Sequence, residues 1–234
     1  MSEMWSGALP GIGFAAGTVL AFEAALRLAR LVRHPALNPT LVAILAVMAG
    51  LVAGHVPYAA YARGAAPVSW LLGPATVALG VPLARNLGAI ARDSLAVLVS
   101  LAAGALTAAI AGPLVLAACG GSGALGLAMA PKAATTPIAM AVAREIGAAP
   151  ALAAVFAIAG GVIVAIAARP LLGWLGIEDH RAFGLAAGVA GSGIGAAEAV
   201  ARDAEAGAYA ALGVGLTAVA TALVVPALAA LGVV

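Results

Sequence analysis

Lys132 is the residue whose setting most strongly suggests chemistry. It is the only lysine among 11 basic residues, and it lies in the run Pro131-Lys132-Ala133-Ala134-Thr135-Thr136-Pro137 within a long apolar stretch. Two prolines six apart cannot both sit inside one regular helix. The run predicts a half-helix to about Ala130, an unwound segment over 132–136 and a second half-helix. Thr136 is its expected N-cap and Pro137 its first helical residue. Such a break presents free N–H groups and the positive end of a helix dipole, which suit an anion. With the Thr135 and Thr136 hydroxyls beside the ammonium, the pattern points to a carboxylate pocket. The competing reading places Lys132 near a membrane face, snorkelling to headgroups. Intramembrane charge is costly and commonly functional, which favours the pocket.

A second interruption is Gly188-Val189-Ala190-Gly191-Ser192-Gly193-Ile194-Gly195. Four glycines in eight residues weaken a helix by about 1 kcal/mol each relative to alanine. They admit either a substrate against the backbone at Ser192, Gly193 and Gly195, or a tightly packed neighbouring helix. Glu198 follows, either as a coupling carboxylate or as an i,i+4 ion-pair partner of Arg202, and the pair is the favoured reading. The third interruption, Leu72 to Pro82, holds Gly73, Pro74, Gly80 and Pro82. Its Thr76 hydroxyl either lines a site or bonds its own helix backbone. Glu23 and Arg27 have the same i,i+4 spacing as Glu198 and Arg202. His34, His55 and His180 share no metal-ligand spacing. Cys119 stands alone in an apolar run, as a packed small residue does. No phosphate loop, zinc motif or triad signature occurs, so neither an enzyme, a cofactor nor a metal is expected.

The elements that would position these residues follow from composition. Hydrophobic residues make up 65% of the 234 positions and charged residues 9%, against roughly 25% charge in soluble domains. An exterior this apolar must face lipid, and only helices and closed barrels satisfy their backbone there. The runs are long and unalternating, as in Leu41–Ala53 and Leu95–Ala118, so helices are expected rather than strands. No signal peptide is read at Met1–Gly7, and the +2 charge carries no nucleic-acid signature.

Proline starts and charged ends predict eight crossings: 9–31, 39–55, 67–84, 93–118, 121–146, 150–172, 182–202 and 207–231. Asn38 is an expected N-cap, with Pro39 and Pro150 at first helical positions. Counting arginines places seven on one side and three on the other, with both termini outside the cytoplasm. Treating 121–146 as a re-entrant hairpin also gives seven to three, so charge does not decide between the two. The expected fold is an all-α polytopic bundle of about eight spans (seven to eight), with discontinuous helices, in a single domain over 1–234. A faint internal repeat pairs 34–118 with 147–234.

Three segments together resemble the LrgB/CidB family: LLGPATVALGVPL from Leu71, PKAATTPIA from Pro131 and GSGIGAAEA from Gly191. The likeness runs from Asn38 to the C-terminus. It implies two functional labels. Bacterial members are described as holin-like or antiholin-like regulators of murein hydrolase export and autolysis, acting with a small LrgA/CidA-type membrane partner. Related members, including the plastid glycolate/glycerate translocator, carry small carboxylates. The family often has His at Ser192, Thr at Ala196 and Arg at Glu198, so the second interruption departs from its pattern.

The expectation drawn from both lines is a secondary carrier of small monocarboxylates of the glycolate, glycerate, lactate or pyruvate type. Lys132, Thr135, Thr136 and Pro137 would bind the carboxylate, while Ser192, Gly193, Gly195 and Thr76 would contact the rest. The alternative is the holin-like regulator. Either would be a multi-pass protein of the bacterial inner (cytoplasmic) membrane, with a homodimer expected by analogy to carriers.

Overall fold

The computed structural model describes residues 8–32, 38–71, 74, 84–85 and 87–234. Its contacts divide the chain into two compact units, Met1–Ala78 and Leu79–Val234. The described residues form helices and turns, with no strand among them.

The first unit contains α1 (Ala8–Val32), α2 (Pro39–Ala53), α3 (Tyr58–Gly64) and α4 (Ala66–Trp70). α2 opens as its sequence predicts. The Asn38 side chain accepts from the Thr40 and Leu41 amides at 2.9 and 3.2 Å, and Pro39 supplies a preset φ at the first turn. Thr18 of α1 donates to its own Phe14 carbonyl at 2.8 Å and meets the Tyr61 hydroxyl of α3 at 2.9 Å. The Phe14 and Tyr61 rings pack edge-on, 5.9 Å apart. Glu23 accepts from Arg27 at 3.0 Å, a local pair. The interruption at 72–82, its Thr76 and most of the expected 67–84 crossing lie outside the described residues.

The second unit contains α5 (Leu87–Arg92), α6 (Ser94–Ala118), α7 (Gly123–Met129), α8 (Thr136–Glu145), α9 (Pro150–Trp174), α10 (His180–Arg202) and α11 (Ala204–Ala230). At 1.5 Å per residue, α6, α9 and α11 are about 37–40 Å long, enough to cross the hydrocarbon. Their exposed faces carry Leu98 and Leu114, Val155 and Ile163, and Val219 and Leu223, as a lipid-facing surface requires. α6 and α11 run parallel. Tyr209 bonds Asp93 where both begin, and Val225 clusters with Ala109 well along both.

Two of the expected crossings are corrected. A straight helix of 23 residues would separate its ends by about 33 Å. In α10, however, His180 stands 3.6 Å from Asp203, the residue that follows Arg202. The chain turns at Ser192, whose φ of 52° and ψ of −142° are not helical. A Cβ on Gly195 would collide with the Ala187 carbonyl eight residues earlier. α10 is therefore a re-entrant hairpin that enters and leaves at the end marked by Asp93, and 182–202 is not one crossing.

The segment 121–146 behaves likewise from the other end. α7 folds back along α6, with Gly121 against Leu116 and Gly126 against Pro113. Ile146, just past the end of α8, belongs to a cluster with Val225, Leu228 and Val234 at the far end of α11. Two half-helices of 7 and 10 residues, about 10 and 15 Å long, cannot span the membrane in antiparallel arrangement. Among the described residues four helices are long and apolar enough to cross, and α10 is one of them. The described residues therefore do not reach the expected eight crossings. Length and hydropathy sum along a segment and are blind to its direction, which is why the hairpins pass for spans.

Small residues make the second hairpin possible. Cβ atoms on Gly184 and Gly188 would collide with the Ala206 and Ala210 backbones, so the first half of α10 lies directly on α11. Close backbone approach through small residues is the usual way membrane helices gain van der Waals contact.

Candidate functional site

The first break is held on a small platform. α7 is N-capped by Ser122, whose hydroxyl accepts from the Leu125 amide at 3.4 Å, and it ends at Met129. The chain then passes through 130–135 without regular helix. α8 begins with Thr135 as N-cap and Pro137 in its first turn. The cap lies one residue earlier than the sequence suggests, and the Thr135 hydroxyl makes no capping bond. Thr135 has the extended backbone a cap needs while Thr136 is already the first helical residue, so the fold rather than the residue type selects between them. Pro131, Ala133 and Ala134 are buried, Lys132, Thr135 and Thr136 half-buried, and Pro137 exposed.

Lys132 rests on α6. A Cβ on Gly112 would stand 2.8 Å from its Cε and 3.5 Å from its Cδ, so the lysine stem crosses α6 where there is no side chain. Lys132 takes part in none of the described ion pairs.

The second break lies at Ser192. A positive φ with this ψ is a region suited to glycine, and for serine it costs on the order of 1–3 kcal/mol. The flanking Gly191 and Gly193 do not carry the turn. Gly191 instead faces Val164 of α9, whose Cγ1 would be 2.7 Å from an added Cβ, while Gly193 has open space above it. Ser192 is 6% exposed and its hydroxyl has no partner. Gly195 is buried where the two halves of the hairpin meet. Glu198 and Arg202 form an ion pair, 2.7 Å from Nε and 2.5 Å from Nη2 to Oε1, on the returning half.

The breaks approach one level from opposite ends. On α6, Val189 lies over Gly104 and Lys132 over Gly112. On α9, Ala153 and Ala157 pack on the first hairpin and Gly161 and Val164 on the second. On α11, Gly213 touches Val189 and Val225 clusters with Ala130. Between those two contacts, at i+4 and i+8 from Gly213, α11 carries Thr217 and Thr221, fully or nearly fully buried. Thr217 has no hydrogen-bond partner. Sequence reading missed both threonines. The only available signal was their four-residue spacing in an otherwise apolar helix.

A charged cluster ties the second hairpin to the Asp93 end. Asp93 Oδ2 accepts from Arg181 Nη1 at 3.0 Å and from Tyr209 at 2.5 Å. Asp179 caps α10 and accepts from Arg181 Nη2 at 2.7 Å. The Arg181 guanidinium, followed by its backbone amide, holds the Asp179 carboxyl down to about 2. Asp203 caps α11 through the Glu205 and Ala206 amides, and those bonds lower its pKa. Among the described residues no group of histidine, cysteine, aspartate or glutamate is arranged to hold a metal.

No solved structure matches this chain. In sequence it is 30% identical over 209 residues to an uncharacterized protein of Haemophilus influenzae, covering 89% of this chain and 90% of that protein. It is 32% identical over 183 residues to the uncharacterized protein YxaC of Bacillus subtilis, covering 78% and 80%. It is 29% identical over 211 residues to the holin-like protein CidB of Staphylococcus aureus, covering 90% and 92%. The LrgB-like family profile matches residues 18–231. With crossing helices, broken hairpins and a profile match over nearly its whole length, the chain belongs to the LrgB-like family.

Proposed function

We propose that this protein is a holin-like component of the bacterial cytoplasmic membrane, modulating murein hydrolase export and autolysis with a small LrgA/CidA-type partner. The observation that carries this reading is the likeness, over 90% of the chain, to a protein named holin-like CidB. The comparisons support this reading better than a carrier. Deletion and complementation in the native host test it. The expected outcome is an altered rate of detergent-induced lysis that depends on the partner. Unchanged lysis, with or without the partner, contradicts it.

A second reading is favoured by geometry: secondary transport of small monocarboxylates by alternating access. Two hairpins from opposite ends bring a lysine and a strained serine towards the buried threonines of α11, where an apolar bundle has no structural need of them. Opposed hairpins of this kind suit inverted halves, and polar broken helices at mid-depth are a common plan of carrier sites. Glycolate or pyruvate uptake into proteoliposomes containing this protein alone tests it. Saturable uptake supports the carrier, and an absence of uptake leaves only the holin-like reading.

A further inference from the structure

Thr217 has an environment that its own helix does not explain. A threonine in an apolar helix ordinarily bonds the carbonyl four residues back, as Thr18 does to Phe14. Thr217 is 0% exposed, yet its hydroxyl makes no such bond. A buried hydroxyl without a partner costs about 1–3 kcal/mol. Ser192, also buried and unpartnered, lies at a similar depth, because Val189, three residues before it, touches Gly213, one turn before Thr217. The molecule thus keeps two orphan hydroxyls beside a strained turn.

The spacing to Lys132 limits what could join them. Gly104, under Val189, and Gly112, under Lys132, are eight residues apart on α6, or about 12 Å. Continuing from Val189 to Ser192 takes up about 4.5 Å of this and leaves an offset of roughly 7–8 Å along the α6 axis. A two- or three-carbon acid with a hydrogen bond of about 2.8 Å at each end is long enough to span that axial offset.

We propose that Thr217, with Ser192, reads a second oxygen on the C2 atom of a small carboxylate whose anionic end faces the Lys132 break. This rests on the carrier reading and adds to it a residue that decides between 2-oxygenated and plain acids. A hydroxyl can donate to a keto oxygen and accept from a substrate hydroxyl, so the pair suits both 2-hydroxy and 2-oxo acids.

The test compares uptake of glycolate and acetate into proteoliposomes by the wild type, Thr217→Val and Thr217→Ser. Valine keeps the shape and removes the hydroxyl, while serine retains it. The expected result is a KM for glycolate raised about tenfold by valine, corresponding to one lost hydrogen bond. The KM for acetate should be unchanged, and serine should restore the wild-type preference. Equal changes for both acids, or none, overturn the role of Thr217 while leaving the carrier intact. If the wild type takes up neither acid, the carrier reading fails and this inference fails with it.

Discussion

His180 and Asp203 face each other across 3.6 Å although they bracket a helical segment of 23 residues. A continuous helix would hold them about 33 Å apart. The contact makes α10 a hairpin, and with the opposed α7–α8 hairpin it brings two broken backbones to within about 7–8 Å of one another in depth between the long apolar helices α6, α9 and α11.

The glycines under that hairpin should be intolerant of even a methyl group. Gly188→Ala places a Cβ into the Ala210 backbone and should cost about 1–3 kcal/mol, lowering the thermal midpoint of the purified protein. Gly215, on the same helix pair, has nothing within 4 Å of an added Cβ. Gly215→Ala should leave the midpoint unchanged or raise it slightly. Equal midpoints for the two variants would mean that α10 and α11 are not in backbone contact.

Ser192→Gly should separate strain from chemistry. Glycine accepts the positive φ without penalty, so the variant should be more stable than Ser192→Ala by about 1 kcal/mol. If the carrier reading holds, both variants lose the hydroxyl and both should weaken glycolate uptake. Equal stability of the two variants would remove the case for strain at this turn.

Gly112→Val tests the seat of Lys132 without altering the lysine. The added side chain would displace Cε, 2.8 Å from an added Cβ. Saturable uptake should fall at least tenfold, as it should in Lys132→Met. Full activity in Gly112→Val alongside loss in Lys132→Met would show that the lysine works from another position.

Acid should weaken the pairing of Asp179 with Arg181 at the Asp93 end. The Asp179 carboxyl is held at about 2 in the folded protein, below its ordinary value near 4. Its contribution is therefore complete above about pH 4 and is lost as pH falls towards 2. Thermal midpoints measured between pH 5 and pH 2 should fall more steeply for the wild type than for Asp179→Asn. Parallel slopes would contradict the pairing with Arg181.

Much of this was legible in the sequence, and the remainder was hidden for identifiable reasons. Asn38-Pro39 and Pro150 mark helix starts because capping and proline chemistry are local. The Pro131–Pro137 spacing likewise forces a break wherever the segment lies. What local chemistry cannot express is whether the chain continues across or returns: the hairpin in 182–202 was missed for that reason, and for 121–146 crossing and return stood as alternatives that charge did not separate. Thr217 was invisible because a threonine in an apolar helix usually satisfies itself. The hairpins also regroup the charges of the second unit. Arg92, Arg181 and Arg202 now stand at the Asp93 end, with Arg169 in the last turns of α9 towards it, and Arg144 at the other. For these five arginines the positive-inside rule predicts that the Asp93 end faces the cytoplasm.

The most direct test is sided labelling of single cysteines in a Cys119→Ser background, in right-side-out and inverted vesicles. Cysteines at Ala182 and Ala204 bracket the second hairpin, and those at Ala124 and Ala149 bracket the first; all four alanines are exposed. A membrane-impermeant thiol reagent should label positions 182 and 204 from the cytoplasmic side alone, and positions 124 and 149 from the opposite side alone. Labelling of 182 and 204 from opposite sides would make α10 a crossing and contradict the account of two opposed hairpins.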